Sequence, residues 1–143
     1  MRNPNLEANI QLRQLGAYKD FGLLVLRVGA GILIITHGLP KLAGGPTAWS
    51  RIGASMGLLG IKFVPVLWGF LAAAAEGIGG LLIVLGLFFR PAAFLALFTM
   101  VVAAYKHLST GDGLKGAEMA ILYGIIFFSL FILGPGSYSV DKK

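Results

Sequence analysis

The chain has 143 residues, of which 57% are hydrophobic and 13% are charged, and it contains no cysteine. A soluble domain carries roughly 25% charged residues, so this composition excludes an ordinary soluble enzyme, and the lack of cysteine excludes disulfides, thiol chemistry and cysteine-held metal clusters. The net charge of +6 is typical of basic flanks that meet anionic lipid headgroups. No basic run or aromatic-interleaved patch indicates nucleic-acid binding.

The first segment, residues 1–20, is polar and mixed in charge, with leucine and isoleucine at roughly helical spacing. This pattern predicts a short amphipathic helix on the membrane surface. We do not expect a cleavable signal peptide, because the first apolar run contains Arg27 and no A-x-A-like cleavage site follows it.

Four apolar stretches follow, and each is long enough to cross about 30 Å of hydrocarbon. Alternating polar and apolar residues are absent, and the open edges of a small sheet would stay unsatisfied in lipid. We therefore predict an all-α membrane protein, a four-transmembrane-helix bundle over residues 21–134 with short amphipathic interfacial helices and a polar C-terminal tail over 135–143. The predicted spans are residues 21–39, 63–89, 91–108 and 117–133.

The longest connection between spans, residues 41–62, also has helical character. Trp49, Ile52 and Met56 recur at helical intervals, which predicts a second interfacial helix that lids the bundle. Four spans place both termini and the Arg90 hairpin on one side, with six Lys and Arg residues against five on the other. This small excess favours cytoplasmic termini.

Two charged residues fall inside the predicted spans, Arg27 in the first and Glu76 in the second. A charge at membrane depth costs about 2.5–3.5 kcal/mol even on insertion scales, so it faces the protein interior and has a partner. Glycine and alanine share the helix face of Glu76, which lets helices approach closely. We predict a buried Arg27–Glu76 pair, either as a structural pair that fixes register or with Glu76 carrying protons or holding a polar ligand head.

A second polar group is expected at the opposite interface, where alternation of the spans brings together the ends of the first and third spans and the start of the fourth. Two histidines and a carboxylate at one depth are compatible with metal or haem, with a polar mouth for a quinone or lipid headgroup, or with interfacial anchoring. No specific metal site is predicted. The residues of this cluster are His37, Lys41, Tyr105, Lys106, His107 and Glu118.

Aromatic and methionine side chains in the spans are candidates for the walls of a site for a lipophilic ring, although such stripes in a membrane bundle are more often core packing or an interfacial belt. The candidates are Trp68, Phe70, Phe94, Phe98, Met100, Tyr105, Tyr123, Phe127 and Phe128. Sequence motifs of nucleotide-binding and hydrolytic enzymes are absent. A stand-alone enzyme is therefore not expected.

Four sequence segments resemble the DoxX family of small bacterial membrane proteins. The segments are Leu26-Arg27-Val28-Gly29-Ala30-Gly31, His37-Gly38-Leu39-Pro40-Lys41-Leu42, Ala75-Glu76-Gly77-Ile78-Gly79-Gly80-Leu81-Leu82 and Leu85-Gly86-Leu87-Phe88-Phe89-Arg90. The resemblance covers about residues 21–134 and implies a multi-pass protein of the inner membrane. It also implies that Arg27, residues 37–41, Glu76 and Arg90 occupy the family's polar signature positions.

The resemblance further implies a redox context. Relatives, including the DoxD type, occur as membrane subunits of thiosulfate:quinone oxidoreductase, and others associate with superoxide dismutase and a sulfurtransferase. The expected function is thus a membrane subunit that docks redox protein partners in contact with lipid, at most one subunit of an oxidoreductase complex, with a quinone or another lipophile near Glu76. Two alternatives remain open, a small proton-coupled transporter acting as a homo-oligomer and a non-catalytic scaffold.

Overall fold

The computed structural model describes residues 4–141, and it describes only the backbone of residues 4–15 and 17. Within these residues the chain is helical and contains no strand. Five α-helices and one 3₁₀ helix follow in the order α1 (Pro4–Ala43), α2 (Gly45–Gly53), the 3₁₀ helix (Ala54–Leu59), α3 (Pro65–Leu85), α4 (Phe89–Ser109) and α5 (Gly113–Leu133).

Within the described part of the chain, four helical segments are long and apolar enough to cross a membrane, which confirms the predicted fold class. They are Tyr18–Ala43 within α1 and the whole of α3, α4 and α5. The predicted ends of the spans differ from the observed ones by a few residues. None of the differences exceeds four residues. One of them is at Pro40, which was expected to end the first span, whereas α1 continues to Ala43.

The N-terminal region forms one helix with the first span. Helix α1 runs without a break from Pro4 to Ala43, so a separate short helix over residues 1–20 is not observed. The amphipathic pattern predicted for residues 1–20 depends mainly on side chains that lie outside the described part of the chain, and it stays a prediction.

Glycines allow α1 and α3 to pack with their backbones nearly in contact. A Cβ atom on Gly38 would lie 2.2 Å from the backbone nitrogen of Gly77, and one on Gly31 would lie 2.9 Å from the carbonyl oxygen of Gly80. Side chains larger than hydrogen do not fit at such a seam, and small residues are what helices in membranes use to approach closely. The seam fixes the relative height of α1 and α3.

The hydrophobic core is shared by the four spanning helices α1, α3, α4 and α5. The largest fully buried apolar side chains are Ile34, Ile83, Phe89, Phe127 and Leu130. Phe127 stacks on Tyr123 with ring centroids 5.8 Å apart. This core holds α4 at a fixed distance from α3 and so determines the space between them.

The predicted second interfacial helix is present as α2 followed by the 3₁₀ helix, and it packs tightly against α3. A Cβ atom on Gly53 would lie 1.8 Å from the carbonyl oxygen of Pro65, and one on Gly69 would lie 1.7 Å from that of Trp49. The Trp49 and Phe70 rings meet edge to face with centroids 5.0 Å apart. Helix α2 is therefore a fixed part of the bundle.

Gly53→Ala is expected to force α2 away from α3, because the added methyl group would overlap the Pro65 carbonyl. Overpacking of a rigid contact costs about 1–3 kcal/mol, and a backbone neighbour that cannot rotate away puts this variant near the upper end. Thermal unfolding and tryptophan fluorescence in detergent measure the effect. Gly29→Ala is the matched control, since no atom lies within 4 Å of its added methyl group, and equal stability of the two variants would contradict the prediction.

The C-terminal tail folds back under the bundle. The backbone N–H groups of Val140 and Asp141 donate to the carbonyl oxygens of Leu85 (3.2 Å) and Gly86 (2.8 Å). The carboxylate of Asp141 accepts hydrogen bonds from the N–H groups of Phe88 (3.2 Å) and Phe89 (2.9 Å). An acidic side chain there satisfies free donors at the N-terminus of α4, so the tail joins the α3–α4 turn to the end of α5.

Candidate functional site

The buried carboxylate of the bundle, Glu76, pairs with Lys41. The Lys41 Nζ atom lies 2.7 Å from Oε1 and 2.6 Å from Oε2 of Glu76. The Glu76 side chain is 2% exposed, whereas that of Lys41 is 37% exposed. A single ammonium group thus compensates both oxygens of a carboxylate that water does not reach, and the ammonium itself stays in contact with the surroundings.

The glycine seam explains why Lys41 is the partner. Gly38 on α1 lies against Gly77 on α3, so the next turn of α1 brings Lys41 to the height of Glu76. The side chain of Trp49 donates a hydrogen bond of 2.9 Å from Nε1 to the carbonyl oxygen of Lys41. Helix α2 thereby holds the end of α1 in position.

The predicted Arg27–Glu76 pair is wrong. Arg27 lies about 21 Å from Lys41 along α1, at about 1.5 Å per residue, and therefore faces the opposite end of α3. Its Nη1 donates to the carbonyl oxygens of Val84 (3.0 Å) and Ile83 (3.5 Å), and its Nη2 donates to that of Tyr138. Unpaired carbonyl groups at a helix C-terminus attract a cation, so Arg27 is held by backbone and not by a carboxylate.

A cavity of about 570 Å³ lies between α3 and α4 and is closed at one end by α2 and the 3₁₀ helix. We call it the α3–α4 cavity. Its walls are mostly apolar and include Ile52, Met56, Trp68, Leu71, Phe94 and Phe98. Its polar lining consists of Lys41, Ser55, Glu76, Thr99, Lys106 and His107.

The structure divides the predicted interfacial cluster. Lys41, Lys106 and His107 line the α3–α4 cavity together with Glu76. His37 packs its ring against Tyr123 at a centroid distance of 6.3 Å, while the exposed side chains of Tyr105 and Glu118 do not line the cavity. Half of the predicted cluster therefore lies at one site. Glu76, which was not predicted to be part of this cluster, lies at the same site.

The two histidines have different neighbours. His107 Nδ1 lies 2.7 Å from the carboxylate of Asp112, and this contact lowers the pKa of Asp112, first through the hydrogen bond. Among residues whose side chains the structure describes, no three His, Asp or Glu side chains are grouped as metal ligands would be.

Arg90, the remaining polar position that the resemblance implied, is exposed at the start of α4. It lines a separate groove with Asp141 and the end of α5, on the side of the bundle that carries the termini. The structure therefore does not bring Arg90 together with Glu76.

Comparison with known proteins identifies the family of this chain. The DoxX family model matches residues 22–108, which is more than half of the sequence. The chain belongs to the DoxX family. The match includes α2, α3, nearly all of α4 and most of the spanning part of α1, and hence Arg27, Lys41, Glu76 and Lys106. Helix α5 and the tail lie outside it.

Relatives of this DoxX protein match over most of their length. The Escherichia coli inner membrane proteins YphA and YqjF are 32% and 33% identical, over 88% and 87% of this chain and 96% and 92% of their own lengths. An uncharacterized protein of Haemophilus influenzae is 28% identical over 92% of this chain and 97% of its own. No solved structure matches significantly. With four apolar helices, the chain is a DoxX inner membrane protein.

Part of the candidate site of this DoxX protein was predicted from the sequence. Three of the aromatic candidates, Trp68, Phe94 and Phe98, line the cavity. The contributions of Met56 and Thr99 were missed because nothing local in the sequence marks a residue that faces a space between two helices. The pairing of Lys41 with Glu76 was also missed, although the small residues Gly38 and Gly77 were a signal for the register that produces it.

Proposed function

We propose that this DoxX protein binds a membrane-soluble ligand in the α3–α4 cavity and does so as the membrane subunit of a redox assembly. The observation that carries the proposal is the cavity itself, an apolar space that ends at the buried Glu76–Lys41 pair. Ligand sites are mostly apolar concavities with a few polar groups that fix orientation. An apolar tail would contact the walls, and a polar head would lie beside the ion pair.

The exposure of the cavity walls supports a ligand that arrives from the bilayer. Leu71, Phe94, Leu95 and Phe98 line the cavity, yet each is between 43% and 53% exposed. These residues belong to spanning helices, so their exposed sides face hydrocarbon. A molecule dissolved in the membrane therefore reaches the cavity between α3 and α4 without crossing polar surface.

A quinone fits the residues present. Trp68 and Phe94 offer flat apolar surfaces for a ring, and the ammonium groups of Lys41 and Lys106 are donors for its carbonyl oxygens. A bound quinone would supply an acceptor for two electrons and two protons. The chain's own contribution is to hold and orient the ring, while Glu76 and Lys41 keep ionisable groups beside it. The electrons would come from a partner protein.

The redox assembly is supported by what the DoxX resemblance implies, a quinone-linked or oxidative-stress complex. The cavity favours ligand binding over a scaffold without a ligand. A transporter would use an intramembrane carboxylate that is free to exchange protons, whereas both oxygens of Glu76 accept from Lys41. No specific observation favours that alternative.

The experiment compares Ala72→Phe with Leu81→Phe. Ala72 lines the cavity, so the new ring fills it, whereas Leu81 is on the same helix, is 50% exposed and does not line it. With a photoreactive quinone in proteoliposomes, the native protein and Leu81→Phe are expected to be labelled on α3 and α4, and Ala72→Phe at least tenfold less. Equal labelling of both variants would contradict the proposed site.

A second measurement addresses the redox role. In inner membranes of cells that express each variant, Ala72→Phe is expected to slow thiosulfate-dependent quinone reduction relative to Leu81→Phe at equal protein level. Equal rates of quinone reduction in the two variants, together with labelling of the native protein, would contradict the proposed role in a redox assembly. The proposed ligand site would be retained.

A further inference from the structure

The charges that line the α3–α4 cavity do not cancel. Glu76 is compensated by Lys41, since both carboxylate oxygens lie within 2.7 Å of one Nζ atom. His107 is in contact with Asp112, which does not line the cavity. Lys106 also lines the cavity, and among the described side chains none forms an ion pair with it within 4 Å. Its positive charge is therefore not compensated by a described side chain.

Lys106 is exposed where it lines the cavity. Its ammonium group is therefore accessible to a ligand that enters the apolar space. The nearby carboxylate of Asp112 does not form an ion pair with Lys106, because it is in contact with His107. An anion at the polar end of the cavity would supply the missing counter-charge.

We infer that the cavity selects an amphiphile with a negatively charged head, with Lys106 as the residue that recognises the charge. Lys106 would contact the head, and the tail would lie along Leu71, Phe94 and Phe98 toward the hydrocarbon. Long-chain carboxylic acids and quinones with an ionised ring hydroxyl share this chemistry. The inference rests on the proposed ligand site and narrows its ligand from any lipophile to an anionic one.

The test uses two matched pairs of probes that differ in the ionisable group. The first pair is a brominated long-chain fatty acid and its methyl ester. The second pair is an alkyl-hydroxynaphthoquinone and the same quinone without the hydroxyl. Binding is measured by quenching of tryptophan fluorescence in non-ionic detergent at neutral pH, because Trp68 lines the cavity. The two pairs distinguish a fatty-acid source from a quinone source of the same charge.

Three proteins are compared, the native protein, Lys106→Met and Lys115→Met. Lys115 is an exposed lysine of α5 that does not line the cavity. The native protein and Lys115→Met are expected to bind at least one anionic probe about tenfold more tightly than its neutral partner. Lys106→Met is expected to lose that preference while it still binds the neutral probes. Lys106→Arg is expected to restore it, because it restores the charge.

The outcomes separate this inference from the proposed function. Equal binding of charged and neutral probes, abolished by Ala72→Phe, would overturn the charge selectivity and retain the ligand site. A preference that survives in Lys106→Met would overturn the role of Lys106. No saturable binding of any probe, together with no quinone labelling in proteoliposomes, would overturn the ligand site itself.

Discussion

Lys41→Met is expected to destabilise the protein by about 3–5 kcal/mol, because it leaves the Glu76 carboxylate buried without its counter-charge. Glu76→Gln is expected to cost less, about 1–2 kcal/mol, since the side chain of Lys41 is 37% exposed and can turn its ammonium toward water or headgroups. The asymmetry follows from burial. Unfolding followed by circular dichroism in mixed micelles with increasing SDS measures both changes.

A double variant distinguishes two contributions to the loss of stability. One is the loss of the ion pair, and the other is the burial of a charge without its partner. Lys41→Met/Glu76→Met is expected to be more stable than Lys41→Met alone, because an apolar replacement of a buried ion pair leaves no uncompensated charge. Lys115→Met is the control for removal of an exposed lysine and is expected to change stability by less than about 0.5 kcal/mol. Equal losses for Lys41→Met and Lys115→Met would mean that the pair contributes nothing.

Arg27→Met is expected to release the C-terminal tail and to cost about 3–6 kcal/mol, from two hydrogen bonds to a charged donor at about 1.5–3 kcal/mol each. These two bonds are to the Val84 carbonyl at the end of α3 and to the Tyr138 carbonyl of the tail. The third acceptor, the Ile83 carbonyl, lies 3.5 Å away and adds little at that distance. Hydrogen exchange of the Val140 and Asp141 amides, which bond to the α3–α4 turn, measures the release directly.

Arg27→Lys gives an intermediate result under this account. A lysine keeps the positive charge but lacks the planar fork that lets one side chain reach both α3 and the tail. Arg90→Met is the matched control, because Arg90 is exposed and no described side chain forms an ion pair with it. Slow amide exchange in the tail of Arg27→Met would refute the role assigned to this residue.

The sequence predicted which charged residues of the candidate site are buried, but it did not predict how they pair. A buried carboxylate at membrane depth needs a partner, and both Glu76 and Arg27 are indeed almost fully buried. Which partner each one takes depends on the height at which α1 and α3 meet. Contact of Gly38 with Gly77 and the continuation of α1 past Pro40 bring Lys41 to Glu76. Neither fact follows from hydropathy.

The interaction of Arg27 with the C-terminal tail also could not be predicted from the sequence. A polar segment after the last span predicts a solvent-exposed end, yet residues 137–141 provide acceptors and a helix cap to groups far away in sequence. Backbone carbonyl groups are present in every residue, so no residue type marks the ones that will hold a buried guanidinium.

The amino-acid sequence by itself determined that this protein is a bundle of four membrane-spanning helices with an additional helix between the first two, because the length and apolarity of a segment are properties of its own residues. The tertiary structure alone decided that Lys41 neutralises Glu76, that Arg27 holds the tail and that a cavity remains between α3 and α4. Pairing and empty space depend on the height and separation of helices, which arise from glycine contacts and core packing between distant residues.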